Sequence, residues 1–248
     1  MKTRILALVI GIIIGAYIGG FLSSQTIYVY EHYPHVYEPY EFSGDENASY
    51  ASIIVPAVDQ NGNGVATVLD VQVVPGSGRT LANIDKLLFW TDTQNSIRTA
   101  SSVAENLTGK NMSNVDIIFT IKANATVIEG PSAGAALTVA TVAALSGRGI
   151  NNSVMMTGTI NHDGTIGPVS GILEKAMAAR MVGAEMFVVP LSQSTEITYE
   201  AKKYCEQIGF SQICTIEQIP KKVDISEQAG LDVREARTVE EALEYFLV

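Results

Sequence analysis

The chain has 248 residues and a formal net charge of −10, from 26 acidic side chains against 16 lysines and arginines. This balance argues against a nucleic-acid partner, because phosphate backbones are bound by clustered basic side chains. Only 17% of the residues are charged and 47% are hydrophobic, so the chain can bury a core and is not intrinsically disordered. The length suits one domain plus an appendage.

The first predicted element is a membrane anchor over residues 1–24. An uncharged run, residues 5–22, follows Lys2 and Arg4 and just reaches the length of a transmembrane helix. Because the basic residues lie only before the run, we expect the N-terminus in the cytoplasm and the rest of this single-pass chain outside it. A cleaved signal sequence, followed by secretion, is the alternative.

Residues 25–49 predict a linker, since they combine tyrosines and two prolines with no helical or strand period. The folded domain is therefore expected over residues 50–248. In an exported domain Cys205 and Cys214 can form a disulfide, although the sequence leaves open whether they do. The cysteines and the three histidines supply no metal site, and no cofactor is predicted.

The domain begins with a predicted hairpin. Residues 52–58 and 64–74 are β-rich and flank a turn sequence, and Pro56 predicts that the first run is an edge strand or ends early. A helix capped by Asp92 or Thr93 is expected to run to Leu107. Further strands are predicted at residues 86–91, 115–121, 154–160, 186–189 and 212–216, and further helices at residues 132–145, 171–182, 196–207 and from the capping box at 238–241. This order predicts an α/β or α+β fold.

Two residues carry the predicted chemistry, Ser132 and Lys175. Ser132 lies in a glycine-containing turn ahead of an apolar helix, where free N–H groups between Gly130 and Gly134 and the helix dipole can stabilise an oxyanion. Lys175 lies among small and apolar residues, and burial lowers the pKa of a lysine so that it can act as a base. Taken singly, a serine before a helix is most often a cap and a lysine usually reaches solvent.

The pattern resembles the proteolytic domain of Lon proteases. The resemblance rests on three segments in order: GPSAG at residues 130–134, MTG at residues 156–158, and GTIGPVSGILEK at residues 164–175. It covers residues 51–190 and the last helix, residues 238–248. It implies a ribosomal-S5-domain-2-like fold and a homo-oligomer, often a hexameric ring.

The resemblance also implies roles for individual residues. Ser132 is the expected nucleophile and Lys175 the general base, with Thr157 hydrogen-bonding the lysine. Gly130, Pro131, Ala133 and Gly134 form the loop around the nucleophile. Glu129 departs from the bacterial branch, which usually has aspartate there, and is expected to support the site without being part of the dyad.

Two further departures shape the predicted function. The segment over residues 191–237 is longer than the corresponding segment of the family it resembles. The sequence also contains no G-x-x-x-x-G-K-[ST] phosphate loop. We therefore expect a membrane-tethered, ATP-independent peptidase that cuts peptides or unfolded polypeptides. A small-molecule kinase, with residues 130–134 cradling phosphate, and a non-catalytic binding module with this fold are the alternatives.

Overall fold

The computed structural model describes residues 48–59, 61–84, 88–123, 127–128 and 130–248. The predicted anchor, nearly all of the linker and Glu129 lie outside these residues. Within the described ranges, no helix is long and apolar enough to cross a membrane.

The described chain mixes strands and helices, as the sequence predicts. The strands are β1 Ser49–Val58, β2 Gly64–Pro75, β3 Thr80–Ala82, β4 Leu88–Phe89, β5 Val115–Lys122, β6 Val127–Ile128, β7 Val154–Met156, β8 Thr159–Ile160, β9 Ile166–Gly167, β10 Met186–Pro190, β11 Thr195–Ile208, β12 Ser211–Asp224 and β13 Asp232–Ala236. The helices are α1 Thr91–Thr108, α2 Gly134–Ser146, α3 Ile172–Met181, α4 Ile225–Ala229 and α5 Val239–Phe246, with a 3₁₀ turn at Met112–Asn114.

The larger sheet has the strand order β1-β2-β5-β3, in which β1, β2 and β5 are antiparallel. The predicted hairpin is confirmed, and Pro56 lies on the edge strand, where its missing N–H removes no bond that the sheet interior needs. Alternate residues of these strands, such as Ile53, Val71 and Phe119, are buried in the main core.

Helix α2 fills that core. Every residue from Gly134 to Leu145 is buried, as expected for an apolar helix. Gly134 allows a close approach, because a Cβ there would lie 2.7 Å from Ile160 Cγ2 and 2.9 Å from the Ile160 backbone nitrogen. The core therefore fixes the turn that precedes α2.

A second, parallel sheet has the order β13-β10-β7. Helix α3 packs against β1 and β2 and also contacts β10. Its buried residues Ile172, Ala176 and Ala179 share a second apolar cluster with Met155 and Phe187. This packing decides which face of α3 is turned inward.

The prediction of a helix at residues 196–207 is wrong, because this segment is strand β11, paired in antiparallel register with β12. Thr195, Ile197 and Tyr199 favour a strand. The partner strand lies beyond a two-residue turn in which Gly209 has φ +62°, the conformation that a type II′ hairpin turn requires of its first residue. Cys205 and Cys214 face each other across the hairpin and form a disulfide.

Two smaller differences concern the ends of elements. The N-cap of α1 is Trp90, with no side-chain cap, so Asp92 and Thr93 lie inside the first turn and do not cap the helix. The strand predicted over residues 154–160 is split into β7 and β8, because Gly158 has φ +150° and turns the chain between them. The cap of α5 is confirmed, since the Thr238 side chain accepts a hydrogen bond from the Glu241 N–H.

Candidate active site

The turn that carries Ser132 is held by a carboxylate from another helix. Asp92, in the first turn of α1, accepts a hydrogen bond from the Gly130 N–H at 2.9 Å through one oxygen and from the Thr93 N–H at 2.7 Å through the other. Gly130 has φ +98°, which favours glycine. Helix α1 therefore sets the path of the chain into the turn.

The other side of the turn is fixed by the residues that follow β7. The carbonyl oxygen of Ser132 accepts from the Gly158 N–H at 2.9 Å and from the Thr157 hydroxyl at 3.2 Å. The Ala135 N–H donates to the Gly158 carbonyl at 3.0 Å. The backbone of Ser132 is thus hydrogen-bonded to the segment that follows β7. Ser132 itself is half-buried.

Lys175 lies on the inward face of α3 and is only 5% exposed, as its position beside Ile172 and Ala179 predicts. Within the described residues its ammonium group has no hydrogen bond and no ion pair. Burial disfavours the charged form and lowers the pKa of Lys175 to about 8, against a smaller opposing effect of the negative charge on Glu174. A lysine with this pKa is partly neutral near physiological pH and can accept a proton.

The packing of α3 relates Lys175 to β7, the strand that Thr157 follows. Met155 of β7 belongs to the same apolar cluster as Ile172 and Ala179, which flank Lys175 on its helix face. Thr157 directly follows Met156, the last residue of β7. Thr157 is fully buried, and its N–H donates to the Val188 carbonyl of β10 at 3.1 Å.

In the structure, a hydrogen bond joins Thr157 to Ser132 directly, and Lys175 lies on α3. No hydrogen bond links the side chain of Lys175 to Ser132 or to Thr157 in the part of the chain that the structure describes. The Thr157 hydroxyl donates to the Ser132 carbonyl, so its oxygen lone pairs can accept a hydrogen bond from an ammonium group.

The backbone N–H groups predicted to bind an oxyanion divide into two sets. The Gly130 N–H donates to Asp92, and the Gly134 N–H donates to the Pro131 carbonyl at 3.0 Å. Among the described residues, the N–H groups of Ser132 and Ala133 have no acceptor. They lie just before the N-terminus of α2, where the helix dipole favours negative charge.

Two residues at the site were missed by the sequence reasoning. Asp92 was considered only as a helix cap, although it holds Gly130. Gln193 was not considered; its side-chain amide pairs with both backbone groups of Val169, at 2.9 and 2.7 Å, in the loop that leads into α3. Both contacts join residues far apart in sequence, so no local pattern signals them.

Residues 66–225, more than half of the chain, match the Lon protease (S16) C-terminal proteolytic domain. The chain therefore belongs to this family, and its mixed α/β fold agrees with that membership.

Individual relatives are Lon proteases of bacteria and archaea. The Lon protease of Fervidobacterium nodosum is 26% identical over 181 residues, 71% of this chain and 22% of that protein. The archaeal Lon protease of Thermoplasma volcanium is 28% identical over 175 residues, 70% of this chain and 25% of its own length. Lon protease 2 of Syntrophobacter fumaroxidans reaches 42% identity over 82 residues, 33% of this chain and 10% of that protein. The matched region is at most about a quarter of these relatives.

Proposed function

We propose that this chain is a serine peptidase that hydrolyses peptide bonds of peptides or unfolded polypeptides with Ser132 and Lys175 as a catalytic dyad. The observation that carries the proposal is the burial of Lys175 with its lowered pKa. Burial of an ammonium group costs free energy, so a lysine kept on the inward face of α3 favours a catalytic use. Membership of the Lon proteolytic-domain family supports the same reaction.

In the proposed reaction, neutral Lys175 accepts the proton of the Ser132 hydroxyl as its oxygen attacks the substrate carbonyl carbon. The N–H groups of Ser132 and Ala133 stabilise the resulting oxyanion. The Lys175 ammonium then protonates the leaving amine as the C–N bond breaks, and an acyl-enzyme forms. Lys175 next accepts a proton from water as the water oxygen attacks the ester carbon. It returns that proton to the Ser132 oxygen as the C–O bond breaks, which frees the serine hydroxyl and releases the carboxylic acid product. Thr157 orients Lys175 by accepting a hydrogen bond from its ammonium form.

We further propose that hydrolysis needs no ATP and takes place on a membrane-tethered, homo-oligomeric protein. The absence of a phosphate-loop motif from the 248 residues supports the first point, and the uncharged run at residues 5–22 supports tethering. Protease treatment of intact cells tests the topology. If the domain were digested only after lysis, it would lie in the cytoplasm, opposite to the proposed orientation. Recovery of a form lacking residues 1–24 would favour a cleaved signal sequence.

The central experiment compares the full-length protein with its Ser132→Ala variant on a fluorogenic peptide and on an unfolded protein, with and without ATP. We expect hydrolysis by the wild type that ATP does not change, and none by the variant. A folded Ser132→Ala protein with normal turnover would overturn the dyad. Two further measurements separate a peptidase from a kinase of related fold. A peptidase is labelled by a serine-directed inhibitor and does not bind ATP, whereas a kinase binds ATP.

A further inference from the structure

The hairpin of β11 and β12 is an exposed feature of the described chain that the proposed dyad does not use. Each strand has 14 residues, so the hairpin is about 45 Å long if fully extended. Most of its residues are exposed, and among the strands that the structure describes its two strands pair only with each other. Their outer backbone groups are therefore open to a further strand.

The register shows that one side of this hairpin is apolar along its length. Residues directly opposite each other share a face, and one face carries an apolar group on each of five successive cross-strand pairs. This apolar face is formed by Ile197, Tyr199, Ala201, Ile216, Pro220 and the Cys205–Cys214 disulfide. Ile197, Tyr199 and Ile216 are 62%, 67% and 63% exposed, so nothing in the described chain covers them.

Charge is divided between the two faces. The apolar face carries Lys203 and Lys222, and its one carboxylate, Asp224, lies at the base, where it caps α4. The opposite face carries two lysines as well, Lys202 and Lys221, but four carboxylates, Glu196, Glu200, Glu206 and Glu217, so its formal net charge is −2 against +1 on the apolar face. The apolar face therefore suits a partner that combines apolar side chains with negative charge.

The base of the hairpin is tied to the candidate active site. Gln193, two residues before β11, binds the Val169 backbone in the loop leading into the helix of Lys175. The Ser194 N–H donates to Glu235 at 2.9 Å. Strand β10, which leads into this base, accepts the Thr157 N–H at Val188. A polypeptide bound along the hairpin is thus bound to an element whose base contacts the loop before α3.

We infer that the apolar face binds an extended, unfolded polypeptide with apolar and acidic side chains, before its cleavage at the dyad. This inference rests on the proposed peptidase function and names the class of substrate that the chain retains. An extended segment is the partner that meets both an open strand edge and a surface of alternate apolar side chains. A second copy docked face to face is disfavoured, because it would bring lysines together with no carboxylate between them at mid-hairpin.

The test measures binding separately from cleavage. The full-length Ser132→Ala protein is titrated into a fluorescent peptide of about 12 residues, long enough to span the face, with alternating leucine and aspartate. The triple change Ile197→Thr, Tyr199→Thr and Ile216→Thr removes apolar surface but keeps strand-favouring residues. The matched control changes exposed apolar residues of the opposite face, Tyr204→Thr and Ile213→Thr.

We expect the triple variant to bind at least about tenfold more weakly, and the control to change by less than about threefold. A peptide with lysine in place of aspartate is expected to bind more weakly than the acidic one. Unchanged binding by the triple variant, equal binding of both peptides, or a changed oligomeric mass in place of changed binding would each overturn the inference.

Failure of this inference and failure of the proposed function give different results. With Ser132 restored, the triple variant is expected to cleave a short fluorogenic peptide as fast as the wild type and to lose efficiency only on long unfolded chains. Equal efficiency on long chains contradicts the hairpin role and leaves the dyad in place. Peptide binding to the apolar face, with no hydrolysis by any serine-containing form, contradicts the dyad alone.

Discussion

The carboxylate of Asp92 and the backbone N–H of Gly130 form a hydrogen bond of 2.9 Å across 38 residues of sequence. This contact joins the first turn of α1 to the turn that presents Ser132. Because a bond from an N–H to a carboxylate is stronger than one between neutral groups, it resists movement of the nucleophile turn. The position of Ser132 therefore depends on α1 as well as on the helix that follows it.

Removal of the Asp92 carboxylate is expected to lower kcat. The Asp92→Ala variant loses one charge-assisted hydrogen bond, worth about 1.5–3 kcal/mol, so we expect kcat to fall about tenfold to a hundredfold with little change in KM. Asp92→Asn is expected to recover part of the rate, because an amide oxygen can still accept the Gly130 N–H. Asn95→Ala, an exposed change on the same helix, is the control. An Asp92→Ala protein with unaltered kcat would remove this positioning role.

The pH dependence of activity is expected to follow Lys175. The lysine must be neutral to accept the serine proton, so the rate should rise with pH and level off above about 8. Lys175→Met keeps an unbranched side chain that is one atom shorter and cannot accept a proton, and we expect it to abolish hydrolysis while the circular dichroism spectrum stays native. A Lys175→Met protein that hydrolyses peptide at a measurable fraction of the wild-type rate would contradict the assignment of the base.

The same substitution is expected to stabilise the fold below pH 8. The pKa of Lys175 falls from 10.5 in the unfolded chain to about 8 in the fold, so the unfolded state binds more protons between these values and stability rises with pH there. We expect Lys175→Met to raise the free energy of unfolding by about 1–3 kcal/mol at neutral pH, because the fold then no longer desolvates an ammonium group.

Urea denaturation of both proteins across this pH range measures the difference directly. The gain should be full below pH 8 and should shrink as the pH approaches 10.5. A gain that is equally large at both ends of the range would show that packing, and not the buried charge, accounts for it.

Glu129 remains a prediction, since it lies outside the described residues. Glu129→Ala should reduce the rate by less than Ser132→Ala does. If the carboxylate contacts Lys175 it raises the pKa of the lysine, and its removal then shifts the pH–rate profile to lower pH. An unshifted profile rules out that contact. Complete loss of activity in a folded Glu129→Ala protein would place Glu129 in the catalytic set.

The sequence was sufficient to predict the fold and the candidate site where contacts are local or where apolar residues repeat with a regular period. The apolar positions around Lys175 predicted its inward face, and the turn between residues 58 and 64 predicted the first hairpin. The pattern was insufficient where a distant partner decides the structure. Residues 196–207 become a strand because they pair with β12, and Asp92 binds Gly130 because the fold brings two distant turns together.

The close approach of α3 to Gly64 gives the last prediction. A Cβ at Gly64 would lie 2.3 Å from the Glu174 carbonyl oxygen and 2.9 Å from Ala178 Cβ, both on α3. These atoms are rigid parts of the helix, so Gly64→Ala must displace the helix that carries Lys175. We expect a loss of about 1–3 kcal/mol in the free energy of unfolding, as for other overpacked sites.

The displacement should also reach the chemistry. A shifted α3 exposes Lys175 to more solvent, so the midpoint of the pH–rate profile should move above 8 and the rate at neutral pH should fall. Val65→Ala, at the next and more exposed position, is the control and should leave both measurements unchanged. If Gly64→Ala lowered stability and left the midpoint in place, the surroundings of Lys175 would not depend on the packing of α3 against β2.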